Sequence, residues 1–391
     1  MGGGLCRAGI QCGCAVRRVT GSAAGHIGPL HQAHARRQQG QKLLRAAGWK
    51  ALHPRRRSVL YGPAIFDNPY QTLLYSAFAS RVSAAAPARL KLYQTLGLAQ
   101  VYHLHWDEFH LTPGPGGQAP SYCARLEAFQ ARGGTLVWTV HNADAHTEMA
   151  PQTQALFDAG RAFLCARADV IHVHSQQAQD LIQTRYGADP ARIVVIPHPS
   201  YLGWYAPPAD PAQLAATGRF LAFGFFRENK GLDLILEGLR RAAETATLEG
   251  VHIAGRGAER VQDAVLPGVP MQVSSGFIPD ARVAEIFGEA DFCIFGFSSI
   301  LTSGSVMLAL TFGTVPILPD LPALRDVLPA SLRRFCYRAG DAEDLARTIA
   351  EAAQMPAEAV REMRQAALDA ARRHDPETIS ARLERAIEAV F

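Results

Sequence analysis

No aspartate or glutamate occurs in residues 1–57, although the same stretch holds 11 Lys/Arg. That imbalance hides the character of the rest of the chain. The formal net charge is +4, but the remaining residues carry 28 Lys/Arg against 35 Asp/Glu, a net −7. An acidic body has no general basic surface for a phosphate backbone, which excludes nucleic acid as the expected partner. Cysteine is also sparse, with seven in 391 residues. Cys6, Cys12 and Cys14 fall in the acid-free stretch; Cys123, Cys165, Cys293 and Cys336 fall in predicted core or helix positions. No pair has zinc-ribbon spacing, and Cys12-Gly13-Cys14 is too tight for a usual CxxC site, so a reducing cytoplasm fits best. Residues 1–57 lack the apolar run of a signal peptide and read as a transit peptide, a disordered arm or spurious upstream sequence. Fold reasoning therefore starts at Ser58.

A membrane-spanning run is missing as well. Phe292 to Pro319 carries no charge for 28 residues, yet Ser298, Ser299, Thr302, Ser303, Gly304, Ser305 and Gly313 interrupt it, together with two prolines. A strand, a polar turn, a helix and a second strand explain it better than a lipid-facing helix.

What is present is an alternation of short apolar runs with longer helical patterns, which argues for βαβ units on parallel sheets. The length exceeds what one hydrophobic core usually serves, so two domains are expected. The first series of strands is Ser58–Tyr61, Val101–His105, Leu136–Val140, Val170–His174 and Arg192–Ile196. A Pro-rich stretch from Pro197 to Pro211 reads as a linker. The second series is Phe220–Phe225, Val251–Ala254, Met271–Ser274, Phe292–Phe295 and Val315–Leu318, with helices over Leu232–Thr245 and Val283–Ala290. Helices over Ala342–Ala353, Ala357–Arg373 and Pro376–Val390 close the chain, the last announced by an Asp375 cap and Pro at its first position. The fold class is thus α/β, with Rossmann-like domains over 58–207 and 216–374 and a terminal helix from 375.

Ligands of open parallel sheets bind beyond the carboxyl ends of the strands. In the first half those ends carry His105, His141, His174 and His198, a polar, titratable wall. In the second half they carry phosphate-binding materials. Phe226-Arg227-Glu228-Asn229-Lys230-Gly231 opens a helix, Gly255-Arg256-Gly257 follows the next strand, and Ser303-Gly304-Ser305 precedes an apolar helix ending near Gly313. Glycines let backbone approach an anion, helix starts present free N–H groups, and Arg227 and Lys230 supply charge.

These residues resemble a known family. Phe223-Gly224-Phe225-Phe226-Arg227-Glu228-Asn229-Lys230-Gly231 resembles the donor-phosphate motif of GT-B glycosyltransferases. Ala309-Leu310-Thr311-Phe312-Gly313-Thr314-Val315-Pro316-Ile317 looks like their Ala-to-Pro segment, shifted by one residue. Thr139-Val140-His141-Asn142 resembles the acceptor-domain strand end; His103-Leu104-His105-Trp106 and Ile196-Pro197-His198 look like members that build exopolysaccharide repeat units on lipid carriers. One departure is plain: the Glu-x7-Glu pair of many retaining members falls on Ile300 and Leu308. Some β-mannosyltransferases and glucuronosyltransferases lack the pair in this way, which inclines the donor toward GDP-mannose.

The resemblance implies two domains facing a cleft, a C-terminal helix crossing back, and sugar transfer from a nucleotide diphosphate. It places the donor on Gly224, Arg227, Lys230, Gly255, Gly257, Ser303, Gly304 and Ser305. It places the acceptor, a saccharide that can be lipid-linked at the inner face of a membrane, near His105, Trp106, Asn142 and Tyr70. His141 and Asp107 are the expected catalytic residues, with Glu108 a further candidate base, and no metal or other cofactor is implied. Three other readings stay open. His103, His105 and Asp107 have a spacing that can chelate zinc, as in a metal-dependent hydrolase. A sugar-nucleotide epimerase could use the same scaffold, and the absent glutamates would suit a non-catalytic nucleotide-sugar-binding protein.

Overall fold

The computed structural model describes residues 57–65, 68–112, 119–144, 149–206, 214, 216–227 and 230–391. The acid-free stretch up to Arg56, Pro207-Pro208 of the linker, and Glu228-Asn229 of the donor-loop motif lie outside the described residues.

Two six-stranded sheets carry the chain. The first comprises β1 (Ser58–Gly62), β2 (Arg81–Ala84), β3 (Val101–Leu104), β4 (Thr135–Thr139), β5 (Val170–Val173) and β6 (Ile193–Val195), in the order β2-β1-β3-β4-β5-β6. The second comprises β7 (Arg219–Phe223), β8 (Gly250–Gly255), β9 (Met271–Ser275), β10 (Phe292–Ile294), β11 (Val315–Pro319) and β12 (Cys336–Tyr337), in the order β12-β11-β10-β7-β8-β9. All pairings are parallel, as Leu104 opposite Trp138 and Phe223 opposite Ala254 illustrate. Strands β3, β4 and β5 are buried at every position, which is why they read as apolar runs instead of alternating ones. The sequence did not reveal β2 and β12. Both are short edge strands, and Arg-Val-Ser-Ala has no apolar run to mark it.

The charge-free stretch resolves into β10, a polar turn, the Gly304–Thr311 helix and β11. That helix buries Val306 through Thr311 inside the second domain, so its lack of charge reflects protein packing. Among the described residues no helix is long and apolar enough to cross a membrane. On the same domain Arg364, from the Ala357–Arg373 helix, donates to Gly313 O at 3.0 Å and to Asp291 at 2.8 Å, tying the penultimate helix to the sheet.

The Pro376–Glu388 helix crosses back to the first domain. Asp375 caps it by accepting from Thr378 N. Its Ile379, Leu383 and Ile387 pack with Val59, Tyr70, Leu74 and Tyr75. Ser380 and Glu384 accept the backbone N–H groups of Ala77, Ala79 and Ser80, satisfying the turn after the Tyr70–Leu74 helix. Between the domains, the end of β5 meets the loop after β10, where Ser175 Oγ donates to Leu301 O at 3.4 Å. Thr311 Oγ1 accepts from Tyr201 N at 2.9 Å, and Gln177 accepts from Ala323 N. The segments that follow β5 and β10 are thereby brought together.

Candidate active site

The wall on the first domain starts from period-two spacing. His103 in β3 and His105 just beyond its end are two residues apart, as are His172 in β5 and His174 just beyond it. Backbone hydrogen bonding sets proton positions along the resulting network. Ile196 O can only accept, so His172 donates to it through Nε2 (2.9 Å) and His174 through Nδ1 (3.1 Å). Burial, with added repulsion between the rings, holds His103, His105 and His174 well below the usual histidine range, and burial pushes His172 down to about 4. These rings are therefore neutral near pH 7. His172 Nδ1 then accepts from Thr139 Oγ1 at 2.9 Å, Thr139 accepts from His103 Nε2 at 2.7 Å, and His103 Nδ1 accepts from Tyr75 O–H at 2.7 Å. Tyr75 in turn accepts from His105 Nε2 at 2.7 Å, and His105 Nδ1 accepts from His141 Nε2 at 3.2 Å. One carbonyl thus sets His141 Nε2 as an N–H donor to His105; in the neutral ring the lone pair is then on Nδ1. On the other branch Tyr70 donates to His174 Nε2 at 3.1 Å.

Trp106 stacks on His141, with ring centroids 4.3 Å apart and planes 12° from parallel. It is the one non-glycine with positive φ (39°) among the described residues. A bulky side chain in that region costs free energy and clusters at functional sites. Tyr70 lies edge-on to both Trp106 and His141, at 5.8 and 5.0 Å. The structure thus brings Tyr70, His105, Trp106 and His141 together. Asn142 follows and donates to Glu108 Oε1 at 3.1 Å.

Asp107 is placed differently from expectation. It is fully buried, and Arg161, from the Pro151–Arg167 helix, grips both its oxygens at 2.7 and 3.3 Å. Burial alone would lower the Arg161 guanidinium, but Asp107 overrides it and raises it further above its ordinary value. Arg161 also donates to Ala143 O, so the pair clamps the loop after β3 to the loop after β4. A carboxylate committed in this way holds the wall in shape; it is not positioned to take a proton from a substrate. Arg161→Ala leaves the buried Asp107 charge without its partner, and a loss of about 3–5 kcal/mol of stability is expected in urea denaturation. Glu108, beside it, is pushed up to about 7 by burial and by the Asp107 charge, against the opposing pull of Arg161 and Asn142.

The zinc-chelating arrangement does not form. His103 is bonded through both ring nitrogens and Asp107 is turned to Arg161. Among the described residues no group of three His, Cys, Asp or Glu could hold a metal ion.

The donor side is built from close backbone approach. A side chain on Gly255 would put its first carbon 1.8 Å from Gly224 O, and one on Gly231 would meet Gly296 O at 2.1 Å; both glycines also have positive φ. Gly257 packs likewise against Phe226 O. Gly255 and Gly257 therefore serve chain packing beneath the loop, whereas Gly224 opens toward Ser305 Oγ. The space above is lined by Gly224, Lys230, Gly296, Phe297 and Ser305 among others. Lys230 Nζ lies 4.3 Å from the Phe297 ring centre and the exposed Arg227 guanidinium 4.4 Å from that of Phe225. Burial, then the Arg227 charge, pushes Lys230 down to about 8. Ser303 caps the Gly304–Thr311 helix by accepting from Val306 N, and its Oγ lies 3.4 Å from that of Ser305.

Sequence reading missed Tyr75, Thr139, His172 and Arg161 as parts of the wall. The His-x-His spacing of residues 172–174 was a usable signal; the strand register that sets Thr139 opposite His172 was not.

Comparison with known proteins bears on the fold and the enzyme class. Residues 112–199 match the model of Glycosyltransferase Family 4. The GDP-mannose:glycolipid 4-beta-D-mannosyltransferase of Xanthomonas campestris pv. campestris is 24% identical over 270 residues, covering 66% of this chain and 71% of that protein. Among solved structures, Anabaena HepE in complex with UDP superposes with a TM-score of 0.61 at 12% identity, covering 85% of this chain and all of that one. A glycosyltransferase from Rickettsia africae ESF-5 gives 0.60 at 12% identity, covering 88% and 93%. The fold is that of the GT-B glycosyltransferases.

Proposed function

We propose that this chain, a glycosyltransferase of the GT-B fold, moves a hexose from a nucleotide diphosphate donor, GDP-mannose in first place, to a saccharide acceptor carried on a lipid. The observation that carries the reading is the pairing across one cleft. A glycine-lined hollow holding Lys230, with the exposed Arg227 nearby, lies on the domain whose Leu301 and Gly304 approach Ser175 and His198 of the histidine side. The diphosphate sits on Arg227, Lys230 and the start of the Gly304–Thr311 helix. These groups stabilise charge growing on the leaving phosphate, an electrostatic form of catalysis that calls for no metal. Tyr70, His105, Trp106 and Asn142 hold the acceptor. His141, with its Nδ1 lone pair, takes the acceptor proton if the reaction inverts, and Glu108 is the second candidate. If the reaction retains, the leaving phosphate takes that proton and His141 positions the sugar.

GDP-mannose is favoured because the Xanthomonas relative is a GDP-mannose-dependent mannosyltransferase, and the same relative, named for a glycolipid, supports a lipid-linked acceptor. Such an acceptor brings the protein to the cytoplasmic face of a membrane as a peripheral enzyme of polysaccharide synthesis. The test is thermal shift of the full chain against GDP, UDP, ADP and dTDP, with and without EDTA, followed by turnover on lipid-linked saccharides. A shift by one nucleotide that survives EDTA is expected. No shift by any, or one abolished by EDTA, would overturn the donor site as drawn. Donor binding without transfer would instead favour a binding protein or an epimerase.

A further inference from the structure

We infer that His198 is a donor-specificity residue, accepting a hydrogen bond at Nε2 from a hydroxyl of the transferred sugar; the inference rests on the donor site proposed above.

His198 follows β6 on the first domain but lies against the second. A side chain on Gly304 would place its first carbon 3.6 Å from His198 Nε2 and 2.7 Å from the Tyr201 hydroxyl. Gly304 opens the helix whose start would hold the diphosphate, so both polar atoms stand where the sugar joins the phosphate. His198 is only 6% exposed, and its Nδ1 donates to Pro199 O at 2.7 Å. That bond fixes the tautomer and leaves Nε2 as the acceptor. Nε2 has no hydrogen-bond partner among the described residues, unlike the ring nitrogens of His103, His105 and His172. Burial pushes His198 down to about 4, so at neutral pH the ring presents a lone pair.

A lone pair is the wrong partner for an anionic phosphate oxygen and the right one for a sugar O–H. The second domain has little else to offer there. Phe292 to Pro319 contains no carboxylate, and Ile300 and Leu308 stand where many relatives in the resemblance carry glutamates. His198 therefore offers, from the first domain, an acceptor for a sugar hydroxyl beside Gly304. The neighbouring Tyr201 O–H supplies the complementary donor.

Isothermal titration of the full chain with GDP, GDP-mannose, UDP and UDP-glucose tests this. The wild type should bind one nucleotide sugar more tightly than its parent diphosphate. His198→Ala should keep the parent diphosphate affinity within about twofold while losing about tenfold toward the nucleotide sugar, the scale of one buried hydrogen bond to a ligand hydroxyl. His198→Gln, whose amide oxygen reaches toward the Nε2 position, should recover part of the loss. A His198→Ala protein that retains both affinities, or loses both equally, overturns the inference. So does a wild type with no preference for the sugar-bearing form. A wild type that binds none of the four ligands removes the proposed donor site itself, a failure distinct from that of His198.

Discussion

Lys230→Ala is expected to lower kcat/KM by a factor of about 10²–10³ while leaving the protein as stable as before, or more so. The rate loss follows from the part assigned to the side chain. A preorganised charge aimed at a leaving phosphate acts where water is excluded, and removing one such group typically costs that much. The stability result follows from what Lys230 lacks. Among the described residues neither Lys230 nor Arg227 makes an ion pair, although Lys230 is largely withdrawn from water and sits beside the Arg227 charge. Two like charges brought together with no carboxylate partner among the described residues are a cost to the fold, and they suit a site whose ligand is an anion. A purely structural lysine would behave in the opposite way, with the variant losing stability and keeping its rate.

The same lysine gives the donor affinity a pH dependence whose sign can be worked out. Lys230 is pushed down to about 8 in the free protein, so it loses its proton as the pH rises through that value, and the diphosphate loses a positive partner. Binding should weaken from pH 7 to pH 9, and bound diphosphate should raise the lysine back toward its ordinary range. Titration of the nucleotide at several pH values checks this, and in Lys230→Ala the slope between pH 7 and 9 should largely vanish.

Much of this site is legible in the amino-acid sequence, because its chemistry falls at strand ends. Buried parallel strands announce themselves as apolar runs, so the residues that follow each run stand out: His105, His141, His174 and His198 on one sheet, Lys230 and Ser303 on the other. What sequence does not display is whatever depends on register or on distant helices. Arg161 is a lone arginine in a helical pattern until Asp107, 54 residues earlier, is seen in its grip. Asp107 reads as a candidate base because it follows His105 at a strand end, and only packing shows the carboxylate held by Arg161. Tyr75 bridges two histidines that the sequence shows merely as alternating. The edge strands β2 and β12 escape for the converse reason: strands with few buried positions leave no apolar signature.

The buried histidines predict a steep loss of stability in mild acid. Each of His172 and His198 is pushed from an ordinary value near 6.5 down to about 4, chiefly by burial, and His103, His105 and His174 are also held well below that range. A histidine whose folded value is lowered binds fewer protons folded than unfolded between those limits. Stability therefore rises with pH in that window and is lost as pH falls from about 6.5 toward 4. At about 1.4 kcal/mol per unit, His172 and His198 contribute on the order of 3 kcal/mol each, against a total stability of about 5–15 kcal/mol for a typical domain. Glu108 works in the opposite sense, because its raised carboxyl takes up a proton in the folded state first, and it offsets about one histidine. The remaining histidines leave a large deficit. Protonation of His172 also turns its Nδ1 into a donor toward the Thr139 hydroxyl, which removes the acceptor that sets the direction of the chain running to His141. The urea midpoint should fall sharply between pH 6.5 and 4.5, with the first domain opening before the second, since the histidine network belongs to the first. A midpoint that stays flat over that range would mean the rings are hydrated or already charged at neutral pH, and His141 would then lose the fixed tautomer that suits it to accept a proton.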